Sequence, residues 1–207
     1  MSWAALLDYA AVLVFALTGA LAASRAQLDI VGFAFVACLT GVGGGTLRDV
    51  LLDRDPVFWI AEPLYIAVAV LGAVAVFFTA HLMESRYRWL TWLDAFALAV
   101  AVPAGVSLAV ATEQSGPVII IMGMVTGCLG GLMRDVVCNE VPLVLKQGEL
   151  YASAALAGAG GAVVALAAGL GEGMALVICG AVTLALRAGS IIFGWRLPVY
   201  KARPPRV

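Results

Sequence analysis

Gly41-Val42-Gly43-Gly44-Gly45-Thr46-Leu47-Arg48-Asp49-Val50 and Gly127-Cys128-Leu129-Gly130-Gly131-Leu132-Met133-Arg134-Asp135-Val136 are one phrase written twice, 86 residues apart. Sliding the chain against itself by that offset, 94 minus 8, also aligns Leu7-Asp8 with Leu93-Asp94, Gly19 with Gly105, Thr40 with Thr126, Pro56 with Pro142 and Leu64-Tyr65 with Leu150-Tyr151. The register holds without a gap. An apolar composition makes coincidences of Ala, Gly and Val common, so the weight rests on the shared Arg-Asp pair and the shared proline. The chain reads as an internal repeat.

The phrase lies in apolar surroundings. Of 207 residues, 63% are hydrophobic and 12% charged, whereas an ordinary soluble domain carries about 25% charged residues. So few charges cannot cover a soluble globule, which excludes an aqueous enzyme. Apolar runs fall at 3–23, 30–52, 63–82, 90–111, 117–138, 149–169 and 173–193, bounded by charges, prolines or polar clusters. Each approaches the roughly 20 residues that cross a bilayer as a helix. The expected fold is an all-α membrane protein with seven transmembrane helices. The glycines, the prolines and the lack of alternating segments argue against a barrel. A net charge of −1 gives nucleic acid no footing as a partner. Trp3, Tyr9, Trp59, Tyr65, Tyr87, Trp89, Trp92, Tyr151 and Trp195 fall near span ends, where amphipathic rings meet headgroups. Pro63 and Pro117 stand at span starts, where a missing N–H costs little.

Three spans per copy is an odd number, so the second copy enters the membrane from the opposite face. The architecture expected is a single membrane domain, 1–207, made of a first three-helix repeat (3–88), a second, inverted repeat (89–171), a seventh helix (172–195) and a basic tail (196–207). Inverted repeats place a functional pathway where the halves meet. Arg25, Arg86, Arg88, Lys146, Arg196, Lys201, Arg203 and Arg206 collect on one side, against Arg54 on the other. The excess of basic loops marks the cytoplasmic side, so the N-terminus is expected outside and the C-terminus inside. The first apolar segment has no preceding positive charge and no clear cleavage site, and it reads as a retained span.

The candidate chemistry gathers on the repeated phrase. Gly41, Gly43, Gly44 and Gly45 in span 2, and Gly127, Gly130 and Gly131 in span 5, weaken their helices by about 1 kcal/mol per residue relative to Ala. One reading is a kink or unwound turn that lines a polar path beside Thr40 and Thr126. The other is small-residue packing that brings helices close. A phosphate loop is excluded by the lack of a following Lys-Ser or Lys-Thr. Arg48, Asp49, Arg134 and Asp135 follow one turn later, where an ionisable side chain must be paired or hydrated. Adjacent residues on a helix point about 100° apart, so these Arg-Asp neighbours are expected to pair with other helices rather than each other. Asp8 with Arg48 and Asp94 with Arg134 are the symmetry-related pairs suggested; headgroup-facing interfacial charges are the alternative. Arg187 in span 7 pairs within the bundle or snorkels. His81, with Glu84, Arg86 and Arg88 beyond it, reads as an interfacial side chain. Cys38, Cys128, Cys138 and Cys179 lack metal-ligand spacing and read as buried thiols. No catalytic set, metal cluster or cofactor motif stands out, so no enzyme is expected.

The Gly41 to Asp49 stretch, with Asp55-Pro56-Val57-Phe58-Trp59 after it and the Thr126 to Asp135 echo, resembles the prokaryotic trimeric intracellular cation channel family, which overlaps with one labelled as glycine transporters. The resemblance runs from about Leu6 to Pro198. It implies a homotrimer in membrane lipid, with a pore for potassium, and with sodium as a second ion, through each protomer. It also implies that the glycines of spans 2 and 5 shape the pore close to Arg48, Asp49, Arg134 and Asp135. Leu129 stands opposite Gly43, so a kink in the second copy is expected to be weaker, and no counterpart of the basic lipid-binding motif of animal members is found.

Three functions remain open on the sequence. A channel needs a continuous wet path. A small-amino-acid transporter needs an occluded midplane site where a helix N-terminus takes a carboxylate. A non-conducting scaffold would make buried charges a needless cost.

Overall fold

The computed structural model describes residues 3–82 and 85–198. Among them are eight α-helices: α1 (Trp3–Arg25), α2 (Ile30–Leu51), α3 (Phe58–Ala61), α4 (Leu64–Thr79), α5 (Arg86–Ala111), α6 (Gly116–Val137), α7 (Ala152–Ala167) and α8 (Glu172–Phe193). Six are long and apolar enough to cross a membrane, counting α4 with the 3-10 turn that extends it to Leu82, while α7 has 16 residues. The span expected at 149–169 is therefore a shorter apolar helix. Glu84 and residues 199–207, including Lys201, Arg203 and Arg206 of the expected tail, lie outside the described residues, as does the side chain of Trp3.

Backbone geometry repeats with the sequence. The left-handed residues Gln27 (φ 56°) and Asp53 (φ 52°), which follow α1 and α2, recur as Glu113 (φ 54°) and Asn139 (φ 53°) after α5 and α6. The hydrogen bonds that close these ends recur as well: Leu28 N–H to the Ala23 carbonyl (3.1 Å) returns as Gln114 to Ala109 (3.0 Å). Likewise Arg54 to Asp49 (2.9 Å) returns as Glu140 to Asp135 (2.8 Å). Each bond satisfies a carbonyl that the helix end would leave orphaned. Asp29 caps α2 by accepting the Gly32 N–H at 2.7 Å.

Helices α1, α2 and α4 pack on one another, as do α5, α6 and α7; the halves meet through α1 on α5 and α2 on α6, and α8 packs on α5 and α7. The interior consists largely of small side chains, such as Ala16, Ala20, Ala37, Ala97, Ala155 and Ala159, all fully buried. Large apolar side chains such as Val31, Phe35, Leu71, Phe78, Val164 and Val177 face outward. Lipid is as apolar as these residues, so close backbone approach, rather than burial of bulky side chains, is what holds such helices together. Pro103 inside α5 leaves the Ala99 carbonyl without its helical donor. Gly180 of α8 accommodates that carbonyl, for an added Cβ would lie 2.9 Å from its oxygen.

Candidate functional site: two buried Asp-Arg-Asp nodes and the cavity at the helix crossing

The residues after each glycine cluster build the same constellation twice. Arg48 is fully buried; its Nη1 donates to Asp8 Oδ1 at 2.8 Å, its Nη2 to Asp8 Oδ2 at 3.4 Å and its Nε to Asp49 Oδ1 at 2.8 Å. The second oxygen of Asp49 accepts the Phe58 N–H at 2.8 Å, which ties α3 to the node. In the second copy Arg134, also fully buried, donates from Nη1 to Asp94 Oδ1 at 2.7 Å and from Nε to Asp135 Oδ1 at 2.7 Å. Asp135 Oδ2 accepts the Leu143 N–H at 2.8 Å. Both expected cross-helix pairs are present. The charges are interior groups, with Asp8 the most accessible at 13% side-chain exposure.

The expectation that Arg48 and Asp49, or Arg134 and Asp135, make poor partners is overturned by these Nε contacts. The guanidinium is a fork with five donors on a long stem, so it bridges the angular gap on its own helix while still reaching the neighbouring helix. Each arginine thus joins two carboxylates, as a buried cation must to offset its desolvation. The copies differ at their edges. Arg54 stands 3.6 Å from Asp49, whereas the equivalent position holds Glu140, paired instead with Arg25 at 2.9 Å. Thr18 accepts from Arg134 Nη1 at 2.9 Å.

Both glycine-bearing helices are continuous through their clusters, α2 over Ile30–Leu51 and α6 over Gly116–Val137. The expected unwound turn is absent, because the glycines serve the contact between the helices instead. A Cβ added at Gly44 would fall on the Thr126 carbonyl oxygen, and one at Gly130 on the Thr40 carbonyl oxygen. Gly43 lies under Met133, Gly41 against the Val12 carbonyl (3.1 Å), Gly127 against Val102 (2.6 Å), Gly45 against the Phe58 ring (2.7 Å) and Gly131 against the Tyr151 hydroxyl (2.9 Å), each distance measured to the Cβ a larger residue would carry.

Beside this crossing lies a cavity of about 10 Å³ whose walls include Asp8, Thr40, Gly44, Gly45, Phe58 and Thr126. That is room for about one water molecule. Thr40 Oγ1 donates to the Val36 carbonyl at 2.6 Å and Thr126 Oγ1 to the Met122 carbonyl at 2.7 Å. With their single protons used, both hydroxyls have only acceptor lone pairs left to offer the cavity. The Asp8 carboxylate on this wall is itself bound to Arg48 through both oxygens, and both arginines are engaged by aspartates.

Other expectations meet mixed outcomes. Tyr65 and Tyr151, read as headgroup anchors, are buried. Tyr65 stacks on Tyr9 at 4.0 Å between ring centroids, and Tyr151 lies beneath the Arg187 guanidinium at 5.0 Å. Each covers the node of its own copy, which an interfacial ring could not do. Arg187 pairs with Glu149 at 3.1 Å inside the bundle. Cys128 and Cys179 are buried, Cys38 and Cys138 only half-buried, and all four are free. His81 is exposed in the turn after α4. Thr18 and Phe58 are site residues to which the sequence gives no role, and Tyr151 is one that it places at the membrane interface. Ala104 occupies the position equivalent to Thr18, so the repeat carried no signal for it.

Comparison with known proteins places this geometry. The profile of one family, described as Glycine transporter, matches twice, over residues 5–81 and 91–167; the starts differ by 91 minus 5, the same 86 residues as the sequence repeat. A UPF0126 membrane protein of Vibrio cholerae is 38% identical over 199 residues, covering 94% of this chain and 82% of its own length. A UPF0126 inner membrane protein of Escherichia coli is 37% identical over 153 residues, 73% of each chain. Among solved structures, the TRIC trimeric intracellular cation channel orthologue from Rhodobacter sphaeroides superposes with a TM-score of 0.90 at 41% identity, covering 94% of this chain and all of that one. A second, solved to explain conductance through TRIC cation channels, superposes with a TM-score of 0.86 at 28% identity over 99% of this chain and 100% of that one.

Proposed function

We propose that this chain, which belongs to the glycine transporter family of UPF0126 membrane proteins, is a cation channel that conducts potassium, and sodium as a second ion, through a passage in each protomer. The observation that carries the reading is the small cavity at the α2–α6 crossing, whose mostly apolar wall carries Asp8 and two threonines with only acceptor capacity left. Such a lining suits a cation shedding part of its water. It is a poor receptor for an amino-acid carboxylate, because the nearby guanidiniums are bound to aspartates and the continuous α2 and α6 present no helix N-terminus at mid-depth. With room for about one water, the passage is constricted in this conformation.

The same proposal includes a homotrimer, seven crossings with α7 as the short one, and an inverted arrangement of the repeats 3–88 and 89–171, followed by the seventh helix at 172–195 and the tail from 196. In it the N-terminus lies outside, the C-terminus lies in the cytoplasm of a bacterial or archaeal cell, and Thr40, Thr126, Asp8 and the glycines of the crossing shape the path. The nodes of Arg48, Asp49, Asp94, Arg134 and Asp135 hold its ends. The TRIC relatives, which are trimeric cation channels by description, support the assembly. The family description favours a second reading, glycine transport. Purified protein in liposomes separates the two. Unsaturated potassium flux without uptake of labelled glycine supports the channel; saturable glycine uptake driven by an ion gradient overturns it.

A further inference from the structure

We propose that Phe58 is the permeation-limiting side chain of the passage, its ring closing the Asp8 end; the inference rests on the channel reading. Phe58 is 4% exposed and forms one wall of the single-water cavity. Its ring occupies the space above Gly45, where a Cβ would come within 2.7 Å of Cε1 and 3.1 Å of Cζ. A glycine at 45 is thus what admits the ring to the α2 surface. A large apolar ring beside a cavity this narrow strips water from the path, which raises the barrier to a hydrated ion.

The ring meets Tyr65 in a T-shaped contact at 4.8 Å and the Arg48 guanidinium lies 5.5 Å from its centroid; Tyr65 is itself stacked on Tyr9, and the Phe58 N–H is bound to Asp49. The node that fixes the charges therefore also fixes the ring. Yet the ring is mounted on the four-residue α3, between loops, and not on a long helix. In the second copy the residue whose N–H binds Asp135 is Leu143, and the residue 86 positions after Phe58 is Val144. The Phe58 ring therefore has no counterpart at the equivalent position of the second copy.

The test compares wild type, Phe58→Ala, Phe58→Leu and Phe58→Trp as intact protein in liposomes, with potassium and N-methylglucamine fluxes and the thermal melting of each variant recorded. Phe58→Ala is expected to raise potassium flux roughly tenfold, a barrier lower by about 1.4 kcal/mol, with N-methylglucamine still excluded; Phe58→Leu should rise less and Phe58→Trp should fall below wild type. Should the alanine variant fail to fold, the leucine and tryptophan variants carry the same ordering. A potassium flux that is unchanged or lower in both smaller variants while they melt like wild type overturns the role of Phe58 and leaves the channel reading standing. A rise accompanied by N-methylglucamine leakage also overturns it, since that reports a damaged bundle. Absence of potassium flux in wild type and all variants overturns the channel reading itself.

Discussion

Replacing Gly44 by alanine tests whether the glycines of α2 and α6 serve contact or flexibility, because the two roles give opposite signs. Within a continuous helix, Gly→Ala favours the fold by about 1 kcal/mol. At Gly44, however, the new methyl lands on the Thr126 carbonyl oxygen, a backbone atom of a facing helix that no rotamer change can move. Forcing extra volume into a packed contact costs about 1–3 kcal/mol, and a rigid backbone neighbour puts this site near about 3. The net is a loss of about 2 kcal/mol. At about 2–4 °C per kcal/mol for a chain of this size, melting should fall by about 4–8 °C. Gly160 in α7 is the internal control: nothing lies within 4 Å of its added Cβ, so Gly160→Ala should gain up to about 1 kcal/mol and melt higher. Gly130→Ala meets the Thr40 carbonyl at the same crossing, so the double variant should lose less than the sum of the singles, the helices having already been spread. Intrinsic tryptophan fluorescence in detergent reads all four melts. If Gly44→Ala melts higher, as Gly160→Ala does, the backbone at the crossing is not tightly apposed and the packing argument is wrong.

The remaining predictions concern the nodes and the topology. Arg48→Ala should lose about 3–5 kcal/mol by stranding Asp8 and Asp49, and adding Asp8→Ala should restore part of it; strictly additive losses in that cycle, measured by melting, would contradict the pairing. Thr18→Val removes an acceptor of the buried Arg134 guanidinium and should cost about 1.5–3 kcal/mol, whereas Leu17→Val on the same helix, away from the node, should cost no more than about 1.5; equal shifts in melting would show that Thr18 does not serve the node. An N-terminal tag should be reachable by antibody from outside intact cells and a C-terminal tag only after permeabilisation; both tags on one side would break the odd span count.

Periodic apolar runs, a single repeated phrase and the scarcity of charge determined that this chain is helical, duplicated and membrane-embedded, because those features follow from what a bilayer demands of every segment taken alone. The pairing of Asp8 with Arg48 and of Asp94 with Arg134 was also legible in the sequence, since a charge in an apolar span needs a partner and the repeat offered one pair per copy. What the glycines do was decided only by tertiary structure. A run such as Gly43-Gly44-Gly45 lowers helix propensity whether or not another backbone lies against it, and the Thr126 carbonyl that keeps Gly44 small belongs to a segment some 80 residues away. The same holds for the Nε bonds between neighbouring Arg and Asp, which depend on how a long side chain curls between two carboxylates. It holds for Phe58 and Thr18, too: each acts through a helix on which it does not lie, and neither position repeats its residue type 86 positions on, so no one-dimensional pattern could reveal them.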